Sequence, residues 1–311
     1  MTNTTKKKNK RWGRKFVDRR KLSVYNRQLV KRGEYFLDLD WVEGWDSELQ
    51  AMNMNKVGKP YHFPNSLIQL QAIWHVKQIP YRMIQGMTLK LTEIANLPDY
   101  NHYSTSNRRV NKLEVKLDLP VGNNLTLFSD GTGMQAIEGG EYLREKYGKK
   151  NRRWVQIIIL GDPVTKEPVS FEVNIVSESE PKSTKKQAEQ LLEKGVDISA
   201  LGGDGAMDSM LLWQWLEEQK ITPIIKPDKN AIEDSDSPTR NEHVKERNKK
   251  GHKKWSRKHK YGFRWPATEG IFSAVKRIFG EQLSSKSEIG LIQEAKIKFW
   301  AYQKMKRYGE A

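Results

Sequence analysis

The chain has 311 residues, no cysteine, and 55 Lys and Arg against 38 Asp and Glu, for a net charge of +17 at neutral pH. Disulfides and thiolate metal sites are excluded, and the longest apolar run, Val155–Leu160 broken by Gln156, falls far short of the roughly 20 residues a bilayer span needs. Ten Trp, eleven Tyr and nine Phe argue against wholesale disorder, and the length supports one sizeable core with a second, smaller one.

Lys6, Lys7 and Lys8 are followed by neither an apolar stretch nor a small-residue cleavage site, so no secretory signal and no membrane partner are expected, and the cytoplasm is the expected compartment. The positive charge is concentrated in two blocks. Residues 1–32 hold thirteen Lys and Arg against the single Asp18, and residues 240–264 hold eleven against Glu242 and Glu246. The rest of the chain is slightly acidic. Aromatics interleave with both blocks (Trp12 and Phe16; Trp255, Tyr261, Phe263 and Trp265), as a polyphosphate-binding surface requires. Residues 1–24 read as a basic, flexible tail. His243, His252 and His259 match no common zinc spacing and read as part of the basic surface.

After the tail, Met52–Asn65 reads as loop. Leu67–Gln78 carries apolar residues at 67, 68, 70, 73, 74 and 76 and predicts a helix that stops before Pro80. Tyr81–Ala95 predicts a second helix. Ser104 or Thr105 would cap a third that reaches Leu113 and presents Arg108, Arg109 and Lys112. Helix, turn and basic helix is the grammar of a helix-turn-helix, although any three-helix bundle shares it. Residues 25–120 are thus a candidate DNA-binding region.

From Leu125 the period changes. Leu125–Ser129 predicts a short strand, Trp154–Leu160 a buried one, and Val169, Phe171, Val173 and Ile175 a half-exposed one, with Gly139-Gly140 and Gly161-Asp162-Pro163 as turns. A helix from about Ser183 to Lys194 ends at Gly195. A short strand then ends at Gly202-Gly203-Asp204, a helix runs from Asp208, as its N-cap, to about Gln219, and Ile221–Lys226 is a strand that Pro223 assigns to a sheet edge. The basic block, taken as an insertion at about 228–264, precedes an amphipathic helix from about Thr268 to Phe279 that Gly280 closes. At 100° per residue Glu269 and Lys276 share a face of it.

Three carboxylates stand out: Asp130 and Asp204, each ending an apolar strand, and Glu269, opening the last helix. Buried at a strand end, a carboxylate is costly unless paired or bound to a cation. Asp130 and Asp204 each precede Gly, which a turn would use equally, and Glu269 also suits a helix dipole. If the two strands are neighbours, the aspartates converge, and a nearby Glu completes a set of hard oxygen ligands for two Mg²⁺ or Mn²⁺ ions.

The stretches LFSDGTGMQ around Asp130, ALGGDGAMDS around Asp204 and YGFRWPATEGIFSAVKR around Glu269 resemble the DDE transposases of bacterial and archaeal insertion sequences, most closely the insertion sequence 5 group. The segment from about Tyr25 through PDYNHYSTSNRRVNKL is similar to archaeal members of that group. The resemblance implies an RNase H-like catalytic domain over 121–311, a five-stranded mixed sheet in the order 3-2-1-4-5 with flanking helices. It further implies Asp130, Asp204 and Glu269 as catalytic and metal-binding residues. Tyr261, Arg264, Glu269 and Lys276 also look like the related motif of Tyr, two residues, Arg, three residues, Glu, six residues, Lys, except that four residues separate Arg264 from Glu269. By that resemblance Tyr261, Arg264 and Lys276 contact phosphates of the transposon end.

The expected activity is that of a transposase: binding terminal inverted repeats, metal-dependent cleavage, and joining of 3′-hydroxyls to target DNA. Double-stranded DNA is the expected partner, a homodimer the expected assembly, a place on the nucleoid the expected location, and no nucleotide cofactor is required. A structure-specific nuclease on the same fold and a non-catalytic DNA-binding regulator are the rival readings.

Overall fold

The computed structural model describes residues 10–11, 14–15, 21–120, 122–137 and 153–311. The expected tail over 1–24 and the expected Gly139-Gly140 turn fall largely outside the described residues. Within the tail, Lys10–Arg11 and Arg14–Lys15 form a two-residue antiparallel ladder. The chain divides into two compact units, one of residues up to 38 with 305–311 and one of residues 39–304.

In the smaller unit, α1 (Leu22–Glu34) lies against residues 305–311. Tyr35 and Tyr308 meet with ring centroids 5.1 Å apart, and Arg32 lies 3.9 Å from Glu310. A side chain at Gly309 would strike the Gln28 carbonyl, so this close approach needs glycine.

The larger unit opens with α2 (Trp45–Asn53), α3 (Asn65–Val76), α4 (Tyr81–Ile94) and α5 (Tyr103–Val110). Pro64 and Pro80 stand immediately before α3 and α4 in extended conformation, where a missing N–H costs the helix nothing. Four buried polar side chains tie α3, α4 and α5 together. Gln71 donates to Thr88 Oγ1 at 3.1 Å and to Asn101 Oδ1 at 2.5 Å, and Asn101 donates to Gln71 Oε1 at 3.2 Å and Ser106 Oγ at 3.0 Å. A buried network satisfied in this way selects one packing of the helices. The cap of α5 is His102, not Ser104 or Thr105: the helix starts earlier than expected, and His102 Nδ1 accepts from the Ser104 N–H.

The sheet follows. β1 (Leu125–Ala136), β2 (Trp154–Asp162) and β3 (Glu167–Asn174) form an antiparallel meander, β4 (Ile198–Gly203) pairs parallel with β1, and β5 (Thr222–Ile225) pairs parallel with β4. The spatial order is β3-β2-β1-β4-β5, the RNase H-like order, with β3 and β5 at the edges as expected. Pro223 sits on the edge strand, where a missing donor is tolerated.

Two features depart from the expected sheet. β1 runs on to Ala136 instead of ending at Ser129, because β2 supplies ladder partners from Gly161 down to Trp154. A sixth strand, β6 (Gln282–Leu283), is too short to leave a periodic signal and pairs with the far end of β1.

On one face of the sheet, α6 (Glu180–Glu193) and α7 (Met210–Glu218) bury Leu127, Leu160, Leu201, Leu191, Trp213 and Leu216. The basic stretch forms two helices, α8 (Pro238–Lys250) and α9 (His252–Lys258). Its histidines are not all surface groups as expected: His243 is buried, with its ring 5.2 Å from Trp213 and 4.2 Å from His259. After α10 (Arg264–Ala267) and α11 (Glu269–Phe279) comes α12 (Glu288–Glu310), whose Phe299 packs against Phe171 of β3 and Phe272 of α11. Gly195 and Gly280 close α6 and α11 at φ +79°, a backbone angle that favours the glycine their sequence positions supply. Among the described residues no helix is long and apolar enough to cross a membrane.

Candidate active site

The site lies at a break in the hydrogen-bond ladder. β4 pairs with β1 up to Phe128 opposite Gly202, and β6 takes up the same side of β1 only at Gln135. Residues between those points have β2 on one side and, among the described residues, no strand on the other. Asp130 stands in this gap, two residues beyond Phe128, and Asp204 stands two residues beyond Gly202, so both carboxylates follow paired positions on neighbouring parallel strands. Asp130 is therefore inside a strand, not at its end, and the Asp-Gly pair there is extended strand, not a turn. Gly202 lets the strands close up, since a Cβ on it would overlap the Phe128 ring.

The third carboxylate is brought in by a second close approach. A Cβ at Gly161 of β2 would collide with the Ala267 carbonyl, so glycine there allows α10 to rest on the sheet beside β1. Buried Thr268 follows, and its hydroxyl is 3.2 Å from Asp130 Oδ2 and 3.1 Å from the Arg264 carbonyl. Glu269 begins α11 immediately after. Between the two acids lies Arg264: Nη1 donates to Asp130 Oδ2 at 2.8 Å and Nη2 to Glu269 Oε1 at 2.6 Å.

Burial and the nearby Asp204 raise the proton affinity of Asp130, against the pull of Arg264 and the Gly131 N–H bond. Asp204 Oδ1 accepts from the Ala206 N–H at 2.8 Å. Arg264 is held firmly cationic: burial works against its charge and is outweighed by Tyr261, Asp130 and Glu269. The site already demands positive charge, and a guanidinium supplies it. The donor set, all carboxylate oxygen, has the chemistry of a Mg²⁺ or Mn²⁺ site. Among the described residues no three acidic or histidine side chains close on one point.

The residues expected to contact DNA have diverse surroundings. Tyr261 packs against Phe128, Ala200, Ile224 and Ala267, and its hydroxyl is pushed to higher pKa by burial. Lys276 is half-buried on α11, on the Glu269 face. Arg108 and Lys112 are exposed beside an open cleft of about 500 Å³ whose lining includes Tyr61 and Thr105. Arg109 differs: it donates to the Phe63 carbonyl at 3.1 Å and Asn65 Oδ1 at 2.8 Å and lies 4.4 Å over the Tyr61 ring, so it fastens α5 to the start of α3. Asp208 is not the N-cap expected of it. Its side chain is 1% exposed and accepts side-on from Arg240 Nε and Nη2 at 2.7 and 3.0 Å, while also accepting from Trp213 Nε1 and the Asp228 N–H. Ser209 precedes α7 instead.

One acidic residue near the site carries no strong sequence signal. Glu180 opens α6, three residues before the start that the sequence predicts, and its carboxylate lies against Gly131. Pro181, a residue favoured in the first turn of a helix, is the local cue that would have moved the boundary.

A family model described as "Transposase DDE domain" matches residues 30–139, and a second with the same description matches residues 124–303, a span that includes Asp130, Asp204, Arg264 and Glu269. Among solved structures, the chain is similar to a Drosophila P element transposase strand transfer complex (15% identity over 65% of this chain and 48% of that one, TM-score 0.32). It is also similar to a piggyBac transposase synaptic complex with hairpin DNA (10% identity, 90% and 75%, TM-score 0.36). A third likeness is to a simian T-cell lymphotropic virus intasome in complex with PP2A regulatory subunit B56 gamma (10%, 55% and 58%, TM-score 0.24). The chain spans about half the length of the Drosophila protein, and all three likenesses are distant.

Proposed function

We propose, on the premise that this chain belongs to the DDE transposase domain family, that it binds the terminal inverted repeats of its own insertion sequence, cleaves at their ends and joins the freed 3′-hydroxyls to target DNA. The observation that carries this reading is the alignment of Asp130 and Asp204 at the break in the β1 ladder, with Glu269 brought to Asp130 through Arg264, all inside the matched domain.

In this reading Asp130, Asp204 and Glu269 hold two Mg²⁺ or Mn²⁺ ions. When bound, such ions activate a water or a 3′-hydroxyl and stabilise the leaving oxygen of a phosphodiester. Thr268 orients Asp130 by its hydroxyl bond. Arg264 leaves the carboxylates to meet a DNA phosphate, for which its planar fork is equally suited, and Tyr261 and Lys276 extend that contact. Residues 25–120, with Arg108 and Lys112 exposed, read the transposon end, and residues 121–311 carry the chemistry. Two ends cut in concert call for a homodimer working on double-stranded DNA in the cytoplasm, at the nucleoid. An insertion sequence 5 relationship is compatible with the family match.

The test is incubation of purified protein with Mn²⁺ and DNA carrying the inverted repeats that flank the reading frame. Wild-type protein should yield cleaved ends and strand-transfer products, while Asp130→Asn binds the ends and cuts nothing. Cleavage without joining would make the protein a nuclease. Absence of any metal-dependent cleavage would leave a DNA-binding regulator and refute the proposal.

A further inference from the structure

We propose that the Asp208–Arg240 ion pair is a positioning device. It locks the basic helices α8 and α9 to the turn that carries Asp204, so that a DNA backbone held on those helices meets the cleaving carboxylates in one register. The inference rests on the reading of this chain as a DNA-cutting transposase.

The turn is short, and both of its ends are held. Asp204 opens it, with Oδ1 accepting from the Ala206 N–H at 2.8 Å; Gly205–Met207 form a single 3₁₀ turn, and Asp208 follows. The Asp208 carboxylate is gripped from three elements: Arg240 of α8 donates twice, Trp213 of α7 donates at 2.9 Å, and so does the Asp228 N–H. α8 also holds the loop after β5. Arg247 donates through Nη1 to the Asp228 carbonyl at 2.6 Å and through Nη2 to the Lys229 carbonyl at 3.1 Å. Asp228 in turn lies against the turn, since a Cβ at Gly205 would come within 3.1 Å of its Oδ1. Arg240 and Arg247 thus fix the Asp204 turn to α8, one directly and one through the neighbouring loop.

The two faces of α8 differ in kind. At 100° per residue Arg240, His243, Val244 and Arg247 point one way, and His243 and Val244 are buried; Lys245 and Lys249 point the opposite way. Lys245, Lys249, Lys253, Lys254 and Arg257 are exposed, and their side chains make no hydrogen bond or ion pair among the described residues. Glu242 is the only exposed acid between residues 240 and 264, because Glu246 is taken up by Lys250, Lys258 and His259, which also ties α9 to α8. Planar arginine forks serve as anchors to carboxylate and carbonyl, while the unpaired cations suit a polyphosphate. A surface that holds a DNA backbone selects one phosphodiester only if it is itself fixed to the cutting residue, because reaction rates fall steeply with misplacement.

The experiment compares full-length wild type with Arg240→Lys, which keeps the charge and loses the fork, and with Asp208→Asn, which keeps the shape and loses the charge. Urea unfolding is the fold control. Two readouts use a duplex carrying the inverted repeat that flanks the reading frame: hydrogen–deuterium exchange of the amides of residues 204–208 with and without the duplex, and the map of cut positions in Mn²⁺. In wild type, duplex binding should slow exchange in the turn, and cutting should fall at one phosphodiester. Both variants should bind the duplex with wild-type salt dependence, lose the exchange response, and cut about tenfold or more slowly at several neighbouring positions. Lys249→Gln should instead weaken binding and lower the salt slope by about one, with its cuts still at the wild-type position. Slower cutting confined to the wild-type position, in proportion to lost stability, would reduce the pair to a structural role and overturn the proposal, as would a wild-type exchange response in both variants. A wild-type protein that shows the exchange response yet cuts nothing would overturn the transposase reading and leave the coupling standing.

Discussion

Arg264 Nη1 donates to Asp130 Oδ2 at 2.8 Å, so the carboxylate in the gap of the sheet is countered by a side chain from α10, 134 positions later in the chain. In the proposed function a divalent cation would compete with this guanidinium for the same oxygen. Burial raises the proton affinity of Asp130 and the Arg264 charge opposes that rise, so removing Arg264 changes what the carboxylate will bind.

Replacing Arg264 by Gln therefore has two opposite consequences. Mn²⁺ affinity without DNA should rise by roughly tenfold, while duplex binding weakens and its salt dependence falls by about one counterion. Mn²⁺ titration beside DNA binding at two salt concentrations reads both. Equal Mn²⁺ affinity in the variant and wild type would show that Arg264 does not compete for the site.

Gly161→Ala tests how Glu269 is delivered. The added methyl meets the Ala267 carbonyl, which is backbone and has nowhere to go, so α10 must lift from β2. Overpacking of this kind costs about 1–3 kcal/mol, measurable by urea unfolding. Because Thr268 and Glu269 move with α10, cleavage should fall further than stability alone explains. A fully active, fully stable variant would refute the contact as the positioning device.

On α5, neighbouring arginines should behave differently. Arg108→Gln and Lys112→Gln should each weaken duplex binding and lower the salt slope by about one, with unfolding unaffected. Arg109→Gln breaks hydrogen bonds to Phe63 and Asn65 and should cost about 1–2 kcal/mol of stability while leaving the salt slope alone. The reverse pattern would assign Arg109 to DNA and its neighbours to the fold.

His243 makes the protein acid-sensitive. Burial first, and then His259 and Lys258 against Glu246, push its pKa down from 6.5 to about 4. The folded state thus resists a proton that the unfolded chain accepts. Its contribution is complete above about pH 6.5 and is lost as pH falls toward 4, at up to about 1.4 kcal/mol per pH unit. Between pH 7.5 and 5.5, wild type should lose roughly 1 kcal/mol more than His243→Gln in urea unfolding. Parallel losses in the two proteins would mean that other groups dominate the acid response.

Much of this protein is legible from the order of its residues. The apolar run of β2, the alternation in β3, Pro223 on an edge and the glycines that close α6 and α11 follow from local rules, because each depends on neighbours a few positions away. Asp130, Asp204 and Glu269 could be singled out because a carboxylate beside an apolar run carries a cost that needs a reason.

Other features depend on distant segments coming together. β1 extends past Ser129 only because β2 lies beside it, and β6 is a strand only because β1 offers an unused edge. Asp208 finds Arg240, Arg109 finds the Phe63 carbonyl, and Arg264 spans Asp130 and Glu269 through approaches that glycine or burial permits. The chain order names which side chains are charged; the packing decides which of those charges meet, since Coulomb and hydrogen-bond energies depend on separation in space.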